Sequence, residues 1–266
     1  MRTQTTNRDD RAVSEAISYV LIFSLITLGT TIIYLQGGPA LDGAKERQVT
    51  QNSERAVVLV QERLNEMMEQ KAPTREVPID LQDITVGVGG LEPGWVNVTA
   101  NTSEGEVSYN ATMNPVHIDT GSRIITYENG AVMAGQEGNA DSWGLRREPS
   151  WAISTNDTGY LGTAFLRTIS TTGEGSIGGE GRVRLVFESV SRTNENLNGV
   201  DELSITVSSP RTSAWESYLR GLNGSLNESD VTVSGEKVTM EVDGFADGDG
   251  SISYNEQVLR TKVVSG

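Results

Sequence analysis

The chain has 266 residues, no cysteine, one histidine and a formal net charge of −15. The lack of cysteine excludes disulfides, thiolate metal ligands and cysteine nucleophiles, and a single histidine excludes a metal site built from several. Only four of the 21 basic residues are lysines, against 36 acidic residues; we therefore predict no nucleic acid partner, and a high-salt habitat in which ions screen the self-repulsion.

The first element in the chain is an uncharged apolar stretch, Ala16–Leu35. Its 20 residues would form a helix of about 30 Å, which matches the hydrocarbon core of a bilayer. Hydroxyl side chains within it can donate to helix carbonyls and so remain tolerable in a membrane; these are Ser18, Ser24, Thr27, Thr30 and Thr31. We predict a single transmembrane helix.

The residues before this helix set its expected orientation. Residues 1–12 contain three arginines against two aspartates, whereas the rest of the chain is strongly acidic. The positive-inside bias therefore predicts a cytoplasmic leader at 1–12 and an extracellular position for everything after the membrane.

Two cleavage sites are conceivable around the apolar stretch. An ordinary secretion signal would be cut after it, at the small residues Gly38 and Ala40, and would leave Leu41 as the first residue. The alternative lies before it, where "DDRAVSEAISYVLIF" places Arg-Ala directly ahead of the apolar run. This arrangement resembles the class III signal of archaeal type IV pilins and archaellins, which implies a cut between Ala12 and Val13 and retention of the apolar helix.

The resemblance extends over about residues 8–81, through "SERAVVLVQERLNEMMEQKAPTREVPIDL". The segment is similar to the pilin-like and archaellin-like surface proteins of halophilic archaea. Such a resemblance implies a helical stem carrying an extracellular domain. It also implies three kinds of partner: the membrane, other pilin-like subunits and a prepilin peptidase.

The stem is expected to be divided. "GGP" at Gly37–Pro39 disfavours helix, which predicts a transmembrane or assembly helix at 13–36 and a hinge at 37–43. An amphipathic stem helix is then predicted over 44–76, ended by Pro73 and Pro78. Its apolar positions recur at helical spacing and are Val49, Ala56, Val60, Leu64 and Met67. We expect this stripe to pack on its own domain, with neighbouring copies in a filament as the alternative.

Residues 77–266 alternate between apolar and polar positions in many short runs, which predicts a mainly antiparallel, sandwich-like β domain. The fold class is therefore α+β. Asn129-Gly130 and the "VSGEKV" stretch predict tight hairpins. One helix is expected at "TSAWESYLRGLNG", with Ser213 and Glu216 as a capping box, Gly224 as its end, and a buried face of Trp215, Leu219 and Leu222.

Six N-x-Ser/Thr sequons follow the apolar stretch, all on the side predicted to be extracellular. Their acceptors are Asn97, Asn101, Asn110, Asn156, Asn223 and Asn227. Together they predict a glycoprotein, with the first three near strand edges and turns.

Two short motifs are weighed against plainer interpretations. "FADGDGSISYNE" places Asp247, Asp249, Gly250, Ile252 and Glu256 at EF-hand spacing, but Phe245 occupies the first ligand position, so an Asp/Gly hairpin turn is favoured over calcium. "GEGSIG" at 173–178 matches a dinucleotide fingerprint, yet a strand pattern follows it where a helix is needed, and we predict a glycine loop.

The single histidine, His117, has Asp119 and Ser122 nearby in sequence, but nothing marks a nucleophile elbow. We predict a structural histidine, no catalytic residues, no cofactor and no enzyme activity. The expected function is that of a pilin-like membrane-anchored surface protein that is a subunit or minor component of a pilus-like filament. The alternatives are a singly anchored glycoprotein with a ligand-binding β domain and, less favoured, a secreted hydrolase.

Overall fold

The computed structural model describes residues 9–155, 161–222, 231–243 and 250–266. They form two helices and thirteen strands in chain order: α1 Asp9–Glu69, β1 Thr74–Val88, β2 Gly94–Thr102, β3 Gly105–Met113, β4 Val116–Asp119, β5 Ile124–Glu128, β6 Ala131–Gln136, β7 Asn139–Arg147, β8 Ala152–Thr155, β9 Leu161–Thr172, β10 Gly175–Ser208, α2 Thr212–Leu222, β11 Val231–Ser234, β12 Lys237–Asp243 and β13 Gly250–Ser265. The predicted α+β class is confirmed. Two compact units are distinguished, residues 1–49 and 50–266.

All thirteen strands of the described ranges belong to one hydrogen-bonded sheet, whose main path runs β13-β9-β3-β2-β10-β1-β4-β5-β6-β7. Most neighbours are antiparallel, and β9 runs parallel to β13 and β3. Where consecutive strands pair, as from β4 to β7, their short connections require antiparallel pairing, because parallel neighbours need long crossovers.

The 34-residue strand β10 is the spine of the sheet. Its first part pairs with β1 and its last part with β2. Along its other edge it pairs first with β13 and then with β12. A single long strand thereby joins the two ends of the domain.

Both predicted hairpins are confirmed. Asn129 and Gly130 connect β5 and β6 with φ angles of 43° and 88°, the positive values that a type I′ turn requires. Gly235, with φ of 61°, begins the two-residue turn between β11 and β12, where Ser234 pairs with Lys237. Glycine supplies this conformation without the steric cost of a Cβ.

Helix α2 lies where the sequence predicts it, but its start differs. The hydroxyl of Ser213 donates to the carbonyls of Ala140 and Trp143 at 2.6 and 2.8 Å instead of capping the helix. The predicted capping box is therefore wrong, because tertiary contacts with β7 engage the hydroxyl. Trp215 and Leu219 are fully buried, and Leu222 is partly buried, which confirms the predicted apolar face.

The largest cluster of buried side chains joins α2 to the face of strands β2, β10, β12 and β13. Trp151, Trp215 and Tyr218 meet at ring-centroid distances of 5.7 to 6.1 Å. Aromatic pairs at such distances add about 0.5–1.5 kcal/mol beyond the burial of their area, so this group anchors α2 on the sheet.

Helix α1 runs through Gly37–Pro39 without a break in its secondary structure. The prediction that Gly37–Pro39 interrupts the helix is therefore wrong, since residues 37–43 are helical. A proline inside a helix removes one hydrogen bond and crowds the carbonyl four residues earlier, which can kink the helix without ending it. The helix also ends at Glu69, before the predicted 76, because β1 begins at Thr74 and includes Pro78.

Within the second unit, the helical segment 50–69 packs on its own sheet, as predicted. Val60, Leu64 and Met67 are fully buried, while Val49 and Ala56 of the predicted stripe are only half-buried. Hydrogen bonds and ion pairs connect the segment to the sheet. Gln61 donates to the carbonyls of Gly130 and Glu148, and Arg192 donates to the carbonyls of Met67 and Ala72. Arg146 pairs with Glu54, and Arg167 pairs with Glu69.

Both short motifs are corrected in part. From Gly175 onward, "GEGSIG" belongs to β10 and pairs with β1, so the predicted glycine loop is wrong for these residues. Asp247 and Asp249 lie outside the described residues. Gly250 to Glu256 belong to β13, which excludes the curled second half of an EF-hand loop. Because β12 and β13 both run antiparallel to β10 along the same edge, the predicted hairpin between them is also wrong.

Candidate functional site

The most unusual surface of the described chain is the apolar part of α1. Glu15–Leu35, 21 residues with a mean hydropathy of 2.1, is long and apolar enough to cross a membrane, and none of it is buried in the protein. Phe23, Leu25 and Ile33 are each 72–73% exposed. A stretch of this size cannot face water without a large cost, since each buried CH₂ is worth about 0.8 kcal/mol. Its length and composition therefore fit a helix that lies in a bilayer.

The hydroxyls of this segment are satisfied within the helix. Thr27, Thr30 and Thr31 each donate to the carbonyl four residues earlier, at 2.8 Å. This confirms the expected back-bonding for these three residues. Their polar groups do not need water or a partner chain, so the surface they present is small and effectively apolar.

The predicted cleavage site lies at the start of α1. Ala12 and Val13 belong to the helix by secondary structure, but their side chains lie outside the described residues, as do residues 1–8 altogether. Cleavage at this bond stays a prediction.

Three of the six sequons lie in described strands. Asn97 and Asn101 belong to β2 and Asn110 to β3. Asn97 and Asn110 face each other across these strands as mid-strand residues, and Asn101 lies next to the turn that joins β2 to β3. Asn156, Asn223 and Asn227 lie outside the described residues.

His117 lies on β4 opposite Gly87 of β1. Its ring covers this glycine so closely that a Cβ on Gly87 would be 2.6 Å from Nε2. The side chain is 8% exposed, and Nδ1 has no hydrogen-bond partner in the described part of the chain. Asp119 instead accepts from the Gly121 amide, and Ser122 lies beside Thr120. The three residues therefore do not form a hydrogen-bonded triad.

His117 lines an open cleft of about 540 Å³. Its lining includes Thr85, Ile124 and the three acidic residues Asp119, Glu137 and Glu174. A neighbouring cavity of about 330 Å³ shares Leu91 and Glu137 with it. Among the described residues no group of three or more His, Asp or Glu side chains is placed to hold a metal ion.

Burial lowers the pKa of His117 below its ordinary 6.5, and this outweighs the opposing effect of Asp119; the charge of Arg211 lowers it further. The folded state therefore binds the proton less tightly than the unfolded chain does. The contribution of His117 to the free energy of unfolding is therefore fully present above about pH 6.5. It decreases as the pH drops below this value, by at most about 1.4 kcal/mol per pH unit.

We accordingly expect the midpoint temperature of thermal unfolding to decrease as the pH is lowered from 7.5 to 5.5. His117→Asn removes the titrating group and should flatten this dependence, whatever its effect on stability at pH 7.5. Thermal unfolding of both proteins across this range provides the measurement. Parallel pH profiles for the two would contradict the assignment.

A buried ion pair and its hydrogen-bond donors are functional-site candidates that the sequence alone does not reveal. Arg211, just before α2, pairs with Glu128 at the end of β5, and their side chains are 3% and 0% exposed. Glu128 also accepts from Ser209 at 3.0 Å and from the indole of Trp215 at 3.3 Å. No local pattern links positions 83 residues apart, so this pair becomes visible only in the folded structure.

The described chain is an α+β protein that combines an antiparallel sheet with an exposed helix of membrane-spanning length. It belongs to the family of unknown function DUF7289, whose family model matches residues 11–254. This range includes both the apolar helix and most of the sheet. No curated protein and no solved structure matches the chain.

Proposed function

We propose that the protein is a pilin-like cell-surface protein, anchored by Glu15–Leu35 and presenting residues 50–266 outside the cell. It serves as a subunit or minor component of a type IV pilus-like filament. The observation that carries this proposal is that the two parts of α1 differ in the burial of their apolar residues. The apolar stripe of the segment 50–69 is covered by its own sheet, whereas Glu15–Leu35 has no cover within the protein.

This difference in burial limits how copies of the chain can associate. Because Val60, Leu64 and Met67 are fully buried, the apolar stripe of 50–69 is not available to a neighbour. Helix-to-helix assembly would then use the exposed apolar part of α1, chiefly residues 15–35, which also sit in the bilayer before assembly. The resemblance of "DDRAVSEAI" to a class III signal supports the same conclusion, because that type of processing leaves the apolar helix on the mature protein. A prepilin peptidase and other pilin-like subunits are the partners this function requires.

The proposal is tested by replacing residues 24–31 with leucine. An anchor needs only apolar length and satisfied backbone groups, so the variant should stay in the membrane at the wild-type level. Contacts between helices need small residues, and leucines in place of Ser24, Gly29 and the three threonines would hold helices apart. We expect surface filaments, or co-purification with other pilin-like proteins, to be lost.

The matched control is Leu25→Ile/Ile26→Leu/Leu28→Ile, which changes the same segment but keeps its small residues. It should assemble normally. Source cells in which the wild-type chain is found neither in filaments nor with other pilins would contradict the assembly proposal.

A wild-type chain found neither in filaments nor with other pilins would favour a singly anchored surface glycoprotein with a ligand-binding β domain. The specific observation behind this candidate is the cleft of about 540 Å³ beside His117. Its size lies in the range of small-molecule sites, and its lining combines apolar side chains, carboxylates and a buried imidazole.

A further inference from the structure

Strand β3 has one open edge. It pairs with β2 along its whole length, from Gly105 opposite Thr102 to Met113 opposite Gly94. On its other side, within the described residues, it pairs with β9 only at Met113. Within the described ranges, the backbone groups of residues 105–112 on this side have no strand partner, and another chain could pair with them and extend the sheet. Proteins usually protect such an edge by a charge, a proline, a bulge or a cover.

The three described sequons differ in what their amides do. Asn97 donates to the hydroxyl of Ser108 at 2.9 Å and accepts from Thr99 at 2.7 Å. Asn101 donates to the carboxylate of Glu202 at 2.7 Å. Both of these asparagines are half-buried. Each amide is thus engaged by a neighbouring strand or by its own sequon threonine.

Asn110 is different. Its side chain is exposed and makes no hydrogen bond within the described residues. Thr112, the hydroxyl residue of its sequon, is exposed on the same face, while Ala111 between them is buried. The acceptor amide and the hydroxyl that a glycosyltransferase must recognise therefore point out of the sheet together.

We propose that Asn110 is the N-glycosylated residue among the described sequons and that its glycan covers the open edge of β3. The proposal rests on the extracellular position of the sheet under the proposed function. The amide nitrogen of Asn110 forms a bond with the anomeric carbon of an oligosaccharide carried on a lipid phosphate or diphosphate. The lipid phosphate leaves, and the amide proton passes to the transferase.

Cross-strand geometry allows only one of the two opposed residues to be modified. Asn97 and Asn110 are direct partners, and the Cβ atoms of such a pair lie about 4.5–5.5 Å apart. Two glycans rooted at this spacing would collide at their first sugars. We therefore expect the glycan on Asn110, whose amide is exposed and makes no hydrogen bond within the described residues, and not on Asn97, whose amide donates to Ser108.

The surroundings of Asn110 suit a sugar. Its neighbours on the same face of β2 and β3 are uncharged hydroxyl and amide side chains, those of Asn97, Thr99, Ser108 and Thr112. Trp95 is the cross-strand partner of Thr112 and is half-buried. It therefore lies diagonal to Asn110, at a distance that long or aromatic side chains can bridge. Polar groups for sugar hydroxyls and a flat apolar ring are thus both within reach of the first sugars.

Peptide mapping of the protein purified from its source cells tests the assignment. Cleavage after Glu76, Glu104, Glu106 and Glu128 places Asn97 and Asn101 in the peptide 77–104 and Asn110 in the peptide 107–128. We expect 107–128 to carry a glycan and 77–104 to have its unmodified mass. An unmodified 107–128, or a glycan on 77–104 alone, would overturn the proposal.

A pair of matched variants tests the role of the glycan. Thr112→Ala removes the sequon but keeps Asn110, and Thr112→Ser preserves the sequon at the same exposed position. We expect Thr112→Ala to lose the glycan mass from 107–128 completely and to associate at concentrations at which wild type and Thr112→Ser stay monomeric in detergent. Equal association of all three proteins would overturn the covering role, even with the glycan present.

Labelling of intact cells separates this proposal from the one beneath it. Lys237 on β12 is exposed, so a membrane-impermeant amine reagent should reach it if the sheet is extracellular. Labelled Lys237 with an unmodified 107–128 would refute only the glycan. Lys237 that becomes labelled only after lysis would refute both proposals.

Discussion

Glu128→Ala is expected to lower the free energy of unfolding by about 3–5 kcal/mol, the usual cost of leaving one partner of a buried ion pair without the other. The variant leaves the guanidinium of Arg211, whose side chain is 3% exposed, without its carboxylate partner. It also removes the acceptor of Ser209 and Trp215. Chemical denaturation of the full chain in detergent, followed by tryptophan fluorescence, measures the change.

The control is an exposed pair in the adjoining helix. Glu216 and Arg220 are 35% and 38% exposed and lie one turn apart in α2. Glu216→Ala should cost no more than about 0.5 kcal/mol, as is usual for such pairs. A loss of less than 1 kcal/mol for Glu128→Ala would mean that the pair around β5 and α2 does not hold the fold in this way.

Ile22→Asp/Ile26→Asp is expected to release the protein from the membrane. Both isoleucines are more than half exposed on α1, and an aspartate near the centre of a spanning helix costs about 2.5–3.5 kcal/mol. Two of them together cost about 5–7 kcal/mol, which exceeds what a single apolar helix can offset easily. Fractionation of cells into membrane and soluble protein provides the measurement.

Gln51→Asp/Ser103→Asp adds the same two charges at exposed positions outside the apolar segment. This control should remain in the membrane fraction. An unchanged membrane fraction for the Ile22/Ile26 variant would show that residues 15–35 do not determine attachment.

Local signals predicted much of the fold. The alternation of β1 to β3 and of β5 and β6, the Asn129-Gly130 turn and the apolar face of α2 all depend on residues close together in sequence, and these predictions agree with the structure. The Val60, Leu64 and Met67 stripe was visible for the same reason, because helical periodicity places these residues on one face.

The errors come from interactions between distant segments. The glycines at 175–181 have no strand propensity of their own, yet pairing with β1 extends them, as tertiary context often overrides propensity. Strand β7 lacks a clean alternation and was missed, although it contains the buried Trp143. The local penalty of Gly37–Pro39 predicts a break, whereas α1 continues through these residues.

The candidate sites show the same division. The apolar helix and the sequons were evident from the sequence, because each is a contiguous motif. The cleft around His117 was not, since its walls come from β1, β4, β5 and the loop before β10. The difference between Asn97 and Asn110 depends on which cross-strand neighbour is near each amide, which no single segment encodes.

The mature N-terminus tests the central claim most directly, because it decides whether Glu15–Leu35 is a permanent part of the protein. Intact-mass analysis of the protein in the membrane fraction is the measurement. We expect a chain that begins at Val13 and retains the entire apolar helix. A chain that begins at Leu41, without the helix and in the medium, would contradict the account, as would a membrane protein that is not cut between Ala12 and Val13.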